Sequence, residues 1–263
     1  MKSIIVTGST RGIGYGLAHE FLARGCAVMV SGRGPAAVDK VVSELSAKHG
    51  AERVKGFACD VTDAFAVQNL WNAAKENFGR VDIWINNAGI SNPYVPFWEV
   101  KPETLAQVVN VNLTGAMYGC QTAMRGMLEQ GGGHIYIMEG FGSDGRTGEG
   151  LGVYGSSKAG LRYFLKAMLV DAKDKPVKIG ALSPGMVVTD LWDELYEGQP
   201  ERFAKAKKIV NILGDKVETV TPWLAENVLA NNRNGASFKW LTTPKAIGRF
   251  LMLPFRKRDL FTE

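Results

Sequence analysis

Ser3-Ile4-Ile5-Val6-Thr7-Gly8-Ser9-Thr10-Arg11-Gly12-Ile13-Gly14 passes from a short apolar run into a glycine-rich turn, and Leu17, Ala18, Phe21 and Leu22 then recur at helical spacing. Strand, glycine turn and helix, in that order, make a loop able to bind phosphate. Glycines let the backbone approach an anion, and the first helical turn has N–H groups without partners. The spacing is G-x-x-x-G-x-G rather than G-x-G-x-x-G, and no Lys-Ser/Thr follows, which excludes a nucleoside-triphosphate loop. Read alone, the stretch is also compatible with a plain strand–helix turn.

The pattern repeats outward from this turn. Residues 26–31 read as a second strand, ending in Ser31-Gly32-Arg33. Many dinucleotide folds carry a carboxylate there to hold the adenine ribose. Its absence, with Arg33 and Arg11 supplying positive charge, favours NADPH over NADH; either arginine alone is also compatible with a solvated surface. Residues 36–49 are predicted helical, with Val38, Val41, Val42 and Leu45 inward. Residues 54–59 form the third strand, and Asp60-Val61 after it suits the edge of an adenine ring. Asp63 then caps a helix with Phe65, Val67, Leu70, Trp71 and Ala74 inward. Residues 81–85 form the fourth strand, leading into Asn86-Asn87-Ala88-Gly89. Four βα units in a row predict an α/β fold, a doubly wound parallel sheet with helices on both faces. Ligands of such sheets sit at the strand carboxyl ends, where Gly8, Arg33, Asp60 and Asn86 fall.

Residues 102–129 are predicted mostly helical, with Asn110 and Asn112 inside; a structural amide is the default reading of each. The fifth strand, 134–138, precedes the glycine-rich loop Glu139-Gly140-Phe141-Gly142-Ser143-Asp144-Gly145-Arg146. A helix over 152–172 then sets Tyr154 and Lys158 one turn apart on one face. An ammonium beside a phenol lowers the phenol pKa, so this pair is expected to be a proton donor tuned toward neutral pH. The sixth strand, 177–182, ends in Ser183-Pro184-Gly185-Met186-Val187-Val188-Thr189.

In this order and spacing, Thr7-Gly8-x-x-x-Gly12-x-Gly14, Asn86-Asn87-Ala88-Gly89, Asn112, Tyr154-x-x-x-Lys158 and Pro184-Gly185 resemble the short-chain dehydrogenase/reductase family over about residues 3–190. The resemblance implies one Rossmann-type domain over 1–263, with cofactor binding and catalysis in 1–190 and a substrate cover and C-terminal arm in 191–263. It implies NADPH held by Gly8, Ser9, Thr10, Arg11, Gly12, Ile13, Gly14, Arg33, Asp60, Val61, Asn87, Ala88, Gly89, Pro184, Gly185, Val187 and Thr189. Tyr154 would donate the proton, Lys158 would hold the nicotinamide ribose, and Asn112 would anchor a relaying water. The family usually has a serine just after the fifth strand; Gly140 stands there, so Tyr154 alone or Ser143 would polarise the substrate carbonyl. Ile83-Trp84-Ile85-Asn86-Asn87-Ala88-Gly89, Glu139-Gly140-Phe141-Gly142-Ser143 and Leu241-Thr242-Thr243-Pro244-Lys245 are similar to the chlorophyll b reductase group of that family. That likeness implies reduction of the 7-formyl group of chlorophyll b to 7-hydroxymethyl chlorophyll a. Reduction of another bulky apolar aldehyde or ketone, and a non-catalytic NADPH- or pigment-binding role, stay open beside it.

Composition bounds these readings. With 263 residues, 46% hydrophobic and 22% charged, the chain suits one large globular domain. A net charge of +5 is too small to point to nucleic acid. Cys26, Cys59 and Cys120 form no C-x-x-C and read as reduced thiols; His19, His49 and His134 are scattered, so no metal site is expected. The first strand begins at residue 3, so no targeting segment is read here and a cytoplasmic setting is expected, although a trimmed chain would read the same. Residues 198–230 read as two helices, with Phe203, Ile209, Val210, Ile212 and Leu213 apolar, facing either a greasy ligand or the core. The end, Phe250 to Phe261, mixes apolar side chains with the basic Arg256-Lys257-Arg258. It reads as peripheral membrane contact or as a packing arm in the expected homo-oligomer.

Overall fold

A computed structural model describes residues 1–253, 255 and 258–261. Seven parallel strands form one sheet in the order β3-β2-β1-β4-β5-β6-β7: β1 (Ser3–Val6), β2 (Ala27–Gly32), β3 (Val54–Ala58), β4 (Ile83–Asn86), β5 (Gly133–Met138), β6 (Val177–Ser183) and β7 (Ala236–Lys239). The order reverses at β1 and β4, whose carboxyl ends diverge into helices on opposite faces. This is the switch point where doubly wound sheets bind ligands.

Strand parity sorts the core. Ile5, Met29, Trp84, Ile135 and Ile179 point to one face, under α3 (Ala64–Phe78), α5 (Gly115–Glu129) and α6 (Gly152–Asp171). Their neighbours Ile4, Val28, Ile83, Tyr136 and Leu182 point to the other, under α1 (Gly12–Ala23), α2 (Pro35–His49) and α9 (Val217–Ala230). Because successive side chains alternate across a strand, a run such as Ser3–Val6, buried at every position, must be covered on both faces. Cys26, Cys59 and Cys120 are buried and unpaired.

Several expectations are corrected. Phe65 is 84% exposed, not inward. It lies two residues before Val67, about 200° around the helix from the stripe of Val67, Leu70, Trp71 and Ala74. Asp63 does cap that helix, accepting from the Phe65 N–H at 2.8 Å. Val42 is half-buried rather than core. The long helix over 102–129 is divided into α4 (Pro102–Val109), a π-helical turn (Asn110–Thr114) and α5. Strand β7 and the helices α7 (Leu191–Leu195) and α10 (Thr243–Leu251) are additions to the reading. The two expected tail helices are α8 (Pro200–Leu213) and α9. Of the basic cluster near the C-terminus, Arg256 and Lys257 lie outside the described residues, and Arg258 is ion-paired to Asp215. Among the described residues no helix is long and apolar enough to cross a membrane.

Candidate active site

The carboxyl ends of the strands open into one cleft of about 1610 Å³. Its inner end is made of backbone. Thr7, ending β1, accepts hydrogen bonds at Oγ1 from the N–H groups of Asn87 at 3.0 Å and Ala88 at 3.1 Å. The Asn87 amide returns bonds to the carbonyls of Thr7 at 2.9 Å and Gly8 at 3.1 Å. These bonds fix the turns after β1 and β4 against each other. A Cβ at Gly14 would run into the Gly8 carbonyl oxygen and lie 2.5 Å from Asn87 Nδ2, so only glycine fits there. Arg11, at the N-cap of α1, makes no side-chain capping bond, which leaves the first-turn N–H groups without a side-chain partner. A glycine turn next to first-turn N–H groups without a side-chain cap fits the diphosphate of a dinucleotide.

Gly8, Thr10, Arg11, Gly12, Ile13, Gly14, Arg33, Asp60, Val61, Asn87, Ala88, Gly89, Pro184, Gly185, Val187 and Thr189 all line the cleft. Ser9 does not line it. It is fully buried, donating to the Val6 carbonyl at 2.7 Å and accepting from the Ser31 N–H at 2.9 Å, and so ties the turn to β2. Arg11 is engaged elsewhere: it pairs with Asp190 at 3.3 Å and Glu194 at 2.6 Å across the cleft. Arg33 is exposed and makes no ion pair among the described residues. Asp60 accepts from the Thr62 N–H at 2.9 Å, fixing the turn after β3.

The floor of the cleft is one face of α6. Tyr154, Lys158, Arg162 and Lys166 follow one another at four-residue intervals, and all four line the cleft. The Lys158 ammonium lies 5.7 Å from the centroid of the Tyr154 ring and donates to the Met138 carbonyl at 3.2 Å. The two groups are not tuned as the pairing alone suggests. Burial pushes the Tyr154 phenol up to about 12, and burial pushes Lys158 down to about 8 against the opposing pull of Glu139. Loss of hydration outweighs the mutual effect because the ammonium bonds to a carbonyl and not to the phenol.

Asn112 sits in the π-helical turn, which spreads the backbone and aims its amide inward. Its Oδ1 accepts from the Ile90 N–H at 2.8 Å, and its Nδ2 donates to the Ile90 carbonyl at 2.9 Å and to Ser157 Oγ at 3.1 Å. That pattern fastens the loop after β4 to α6. Asn92 escaped the sequence reading. Its Oδ1 accepts from the Tyr154 N–H at 3.1 Å, satisfying a first-turn donor of α6, and its Nδ2 holds the Gly150 carbonyl at 2.8 Å. The only hint was an asparagine before Pro93, a common turn signal.

At Gly140 a Cβ would collide with the Tyr154 phenol oxygen, so a serine at this position would require the phenol to shift. Ser143 reaches back instead, its Oγ accepting from the Gly140 N–H at 3.1 Å. A hydroxyl that accepts one bond keeps its own proton free to donate.

The outer wall is aromatic. Tyr94 stacks on Tyr196 at 4.9 Å, Tyr196 on Phe203 at 5.4 Å, and Trp192 stacks parallel to Tyr196 at 6.3 Å. Ile209, Val210 and Leu213 continue this wall, while Val210 is also buried against the core. The wall is fastened by Asp215, which pairs with Arg249 at 2.6 Å and Arg258 at 2.7 Å and accepts from Trp240 Nε1 at 2.6 Å.

The short chain dehydrogenase family model matches residues 2–200. The chlorophyll(ide) b reductase NOL of Arabidopsis thaliana, described as chloroplastic, is 38% identical over 99% of this chain and 77% of its own length. The probable chlorophyll(ide) b reductase NYC1 of Oryza sativa subsp. japonica is 35% identical over the whole chain, which spans 54% of that relative's length. Among solved structures, an alcohol dehydrogenase of Thermococcus sibiricus complexed with 5-hydroxy-NADP superposes with a TM-score of 0.78 at 22% identity, over 92% of this chain and 97% of its own. With the glycine cradle, the Tyr154–Lys158 row and the parallel sheet in place, these matches make the chain a member of the short chain dehydrogenase family.

Proposed function

We propose that this protein is an NADPH-dependent carbonyl reductase acting on the 7-formyl group of chlorophyll b. The observation that carries the reading is a single cleft joining three parts: a dinucleotide cradle, a buried tyrosine–lysine pair and an aromatic wall of Tyr94, Trp192 and Tyr196. The relatives described as chlorophyll(ide) b reductases match along the full chain and support the same substrate.

The cofactor, when bound, supplies a hydride to the carbonyl carbon. The protein's own residues handle the oxygen. With its pKa raised to about 12 by burial, Tyr154 stays protonated through the neutral range and gives its Oη proton to the substrate oxygen as negative charge develops there. Lys158, charged below about pH 8, stabilises the phenolate that remains. Ser143, its hydroxyl hydrogen free, offers a hydrogen bond to the same oxygen, taking the part for which Gly140 has no side chain. Asn112 holds the floor to the loop above it. Arg33, exposed and without an ion pair among the described residues, beside a strand end that lacks a carboxylate, suits a 2′-phosphate, which supports NADPH over NADH.

At the edge of the cleft, α10 exposes Ile247, Phe250 and Leu251, followed by Met252, Leu253 and Phe255. That apolar side supports peripheral contact with the lipid in which such a pigment dissolves. Exposed Tyr163 and Val170 on α6 support association with a second copy.

The test is incubation of the purified protein with NADPH and chlorophyll b, followed by pigment chromatography. We expect 7-hydroxymethyl chlorophyll a, with turnover reduced by about 10²–10⁴ in Tyr154→Phe. No conversion by protein that still binds NADPH would overturn the substrate assignment.

A further inference from the structure

The mechanism above uses two of the four cleft-lining residues in the α6 row, and leaves a buried carboxylate beside them unused. Glu139 follows β5 directly, its backbone N–H bonded to the Leu182 carbonyl at 2.8 Å. Its side chain is only 6% exposed and is ion-paired with Arg162, one turn beyond Lys158. The Lys158 side chain lies against the backbone on either side of it. The ammonium donates to the Met138 carbonyl at 3.2 Å, and a Cβ built on Gly140 would lie 3.3 Å from Lys158 Cε.

The charges around Lys158 make Glu139 distinctive. On α6 the neighbours are the neutral Tyr154 and the cationic Arg162. The π-helical turn contributes neutral Asn112, and the loop after β4 contributes Asn87, Ala88 and Gly89. Asp144 is committed to Arg146 at 2.7 Å in the exposed loop. Glu139 is therefore the buried negative charge that pairs with Arg162 and sits in the chain between Met138 and Gly140, the two positions against which Lys158 lies. A carboxylate that keeps 6% exposure needs such a partner, and a lysine buried to 4% needs a counter-charge.

We propose that Glu139 is a positioning residue of the proton-donating machinery, its buried carboxylate holding the Lys158 ammonium charged while it draws Arg162 aside. The role rests on the reading of Tyr154 and Lys158 as the catalytic pair. The direction of its effect agrees with the electrostatics: burial lowers Lys158, and Glu139 raises it.

The test is a pH titration of Lys158 by NMR in protein labelled at lysine Cε, the resonance being assigned by its absence in Lys158→Arg. It requires neither substrate nor cofactor, so failure of the chlorophyll b reading leaves the outcome interpretable. Glu139→Gln removes the negative charge and should move the Lys158 midpoint down by about one pH unit. Arg162→Gln removes the competing cation and should move it up. Both variants break the same ion pair, so a purely structural role would shift them alike, whereas the charge role shifts them in opposite directions. Glu139→Asp, which keeps the charge, should stay nearer the parent. In pH profiles of turnover the alkaline limb should move with the NMR midpoint. An unmoved or raised midpoint in Glu139→Gln, or shifts of the same sign in Glu139→Gln and Arg162→Gln, would overturn the proposal.

Discussion

The two walls of the cleft are held by different kinds of bond. The inner wall is main chain held by short side chains: Thr7 and Asn87 lace the turns after β1 and β4 together, and Ser9 laces the first turn to β2. The outer wall, from α7 to α10, is side chain against side chain. It stands on the stacked rings of Tyr94, Tyr196 and Phe203, the Arg11 bridge to Asp190 and Glu194, and the Asp215 hub. A wall of backbone has no slack for an added atom. A wall of side chains can be loosened one contact at a time while the sheet beneath stays folded.

The largest effect is therefore expected at the inner wall. Gly14→Ala puts a methyl group into the Gly8 carbonyl and the Asn87 amide, neither of which can yield without moving the turn. We expect NADPH binding, followed by cofactor fluorescence, to weaken at least about a hundredfold, equivalent to roughly 3 kcal/mol of overpacking. Gly248→Ala is the control in the outer wall. A Cβ there meets nothing within 4 Å, so binding should be unchanged and stability should rise by about 0.5–1 kcal/mol. Equal losses in the two variants would erase the distinction between the walls.

Asp215→Asn tests the outer wall directly. It leaves the Arg249 and Arg258 guanidinium groups, 17% and 22% exposed, without their carboxylate. The variant should lose on the order of 3 kcal/mol of stability in thermal or denaturant unfolding. The KM for pigment should rise while NADPH affinity holds, because the backbone ladder from Asp215 to Met186 and Val188 is retained. The pH dependence has a definite sign. Burial raises the Asp215 pKa, but the hydrogen bonds from Trp240 and Arg249 outweigh it and hold the carboxyl below its usual value. Its stabilisation is thus fully present above the ordinary carboxylate pKa and lost as pH falls through the lower folded value. Between pH 6 and pH 3 the parent should lose more stability than Asp215→Asn.

This contrast also accounts for what could be read from the residues alone. The inner wall depends on glycine and on strand–turn–helix rhythm, both of which are local, so the parallel sheet, the cradle and the Tyr154–Lys158 row were legible. The outer wall depends on pairs distant in sequence. Asp215 with Arg258, Tyr94 with Tyr196 and Asn92 with Tyr154 leave no periodic trace. Strand β7 is four residues long and carries one fully buried side chain, Ala236, too little pattern to register as a strand. Phe65 is exposed because its angle on the helix, not its hydrophobicity, decides which way it points. The Ser9 hydroxyl bonds to the Val6 carbonyl inside the turn, a contact that motif spacing does not reveal. The pKa of Tyr154 could not be anticipated, since burial depends on everything that packs around it.

The smallest expected effect lies where the inner wall meets solvent, and it sharpens the comparison further. Arg33 is the one inner-wall side chain proposed to choose between cofactors, and it is exposed without an ion partner among the described residues. A contact made by one exposed side chain should behave like those of the outer wall: adjustable, and independent of the fold. Arg33→Asp replaces a cation for a 2′-phosphate with an acceptor for ribose hydroxyls. A hydrogen bond to a charged group contributes about 1.5–3 kcal/mol, so the ratio of kcat/KM for NADPH over NADH should fall by at least roughly tenfold, with the melting temperature unchanged. An unchanged ratio would place phosphate recognition elsewhere, with Thr10, which lies against Gly32, a remaining polar side chain of the cradle. A fall accompanied by unfolding would mean that Arg33 belongs to the scaffold, and that even the rim of the inner wall is structural.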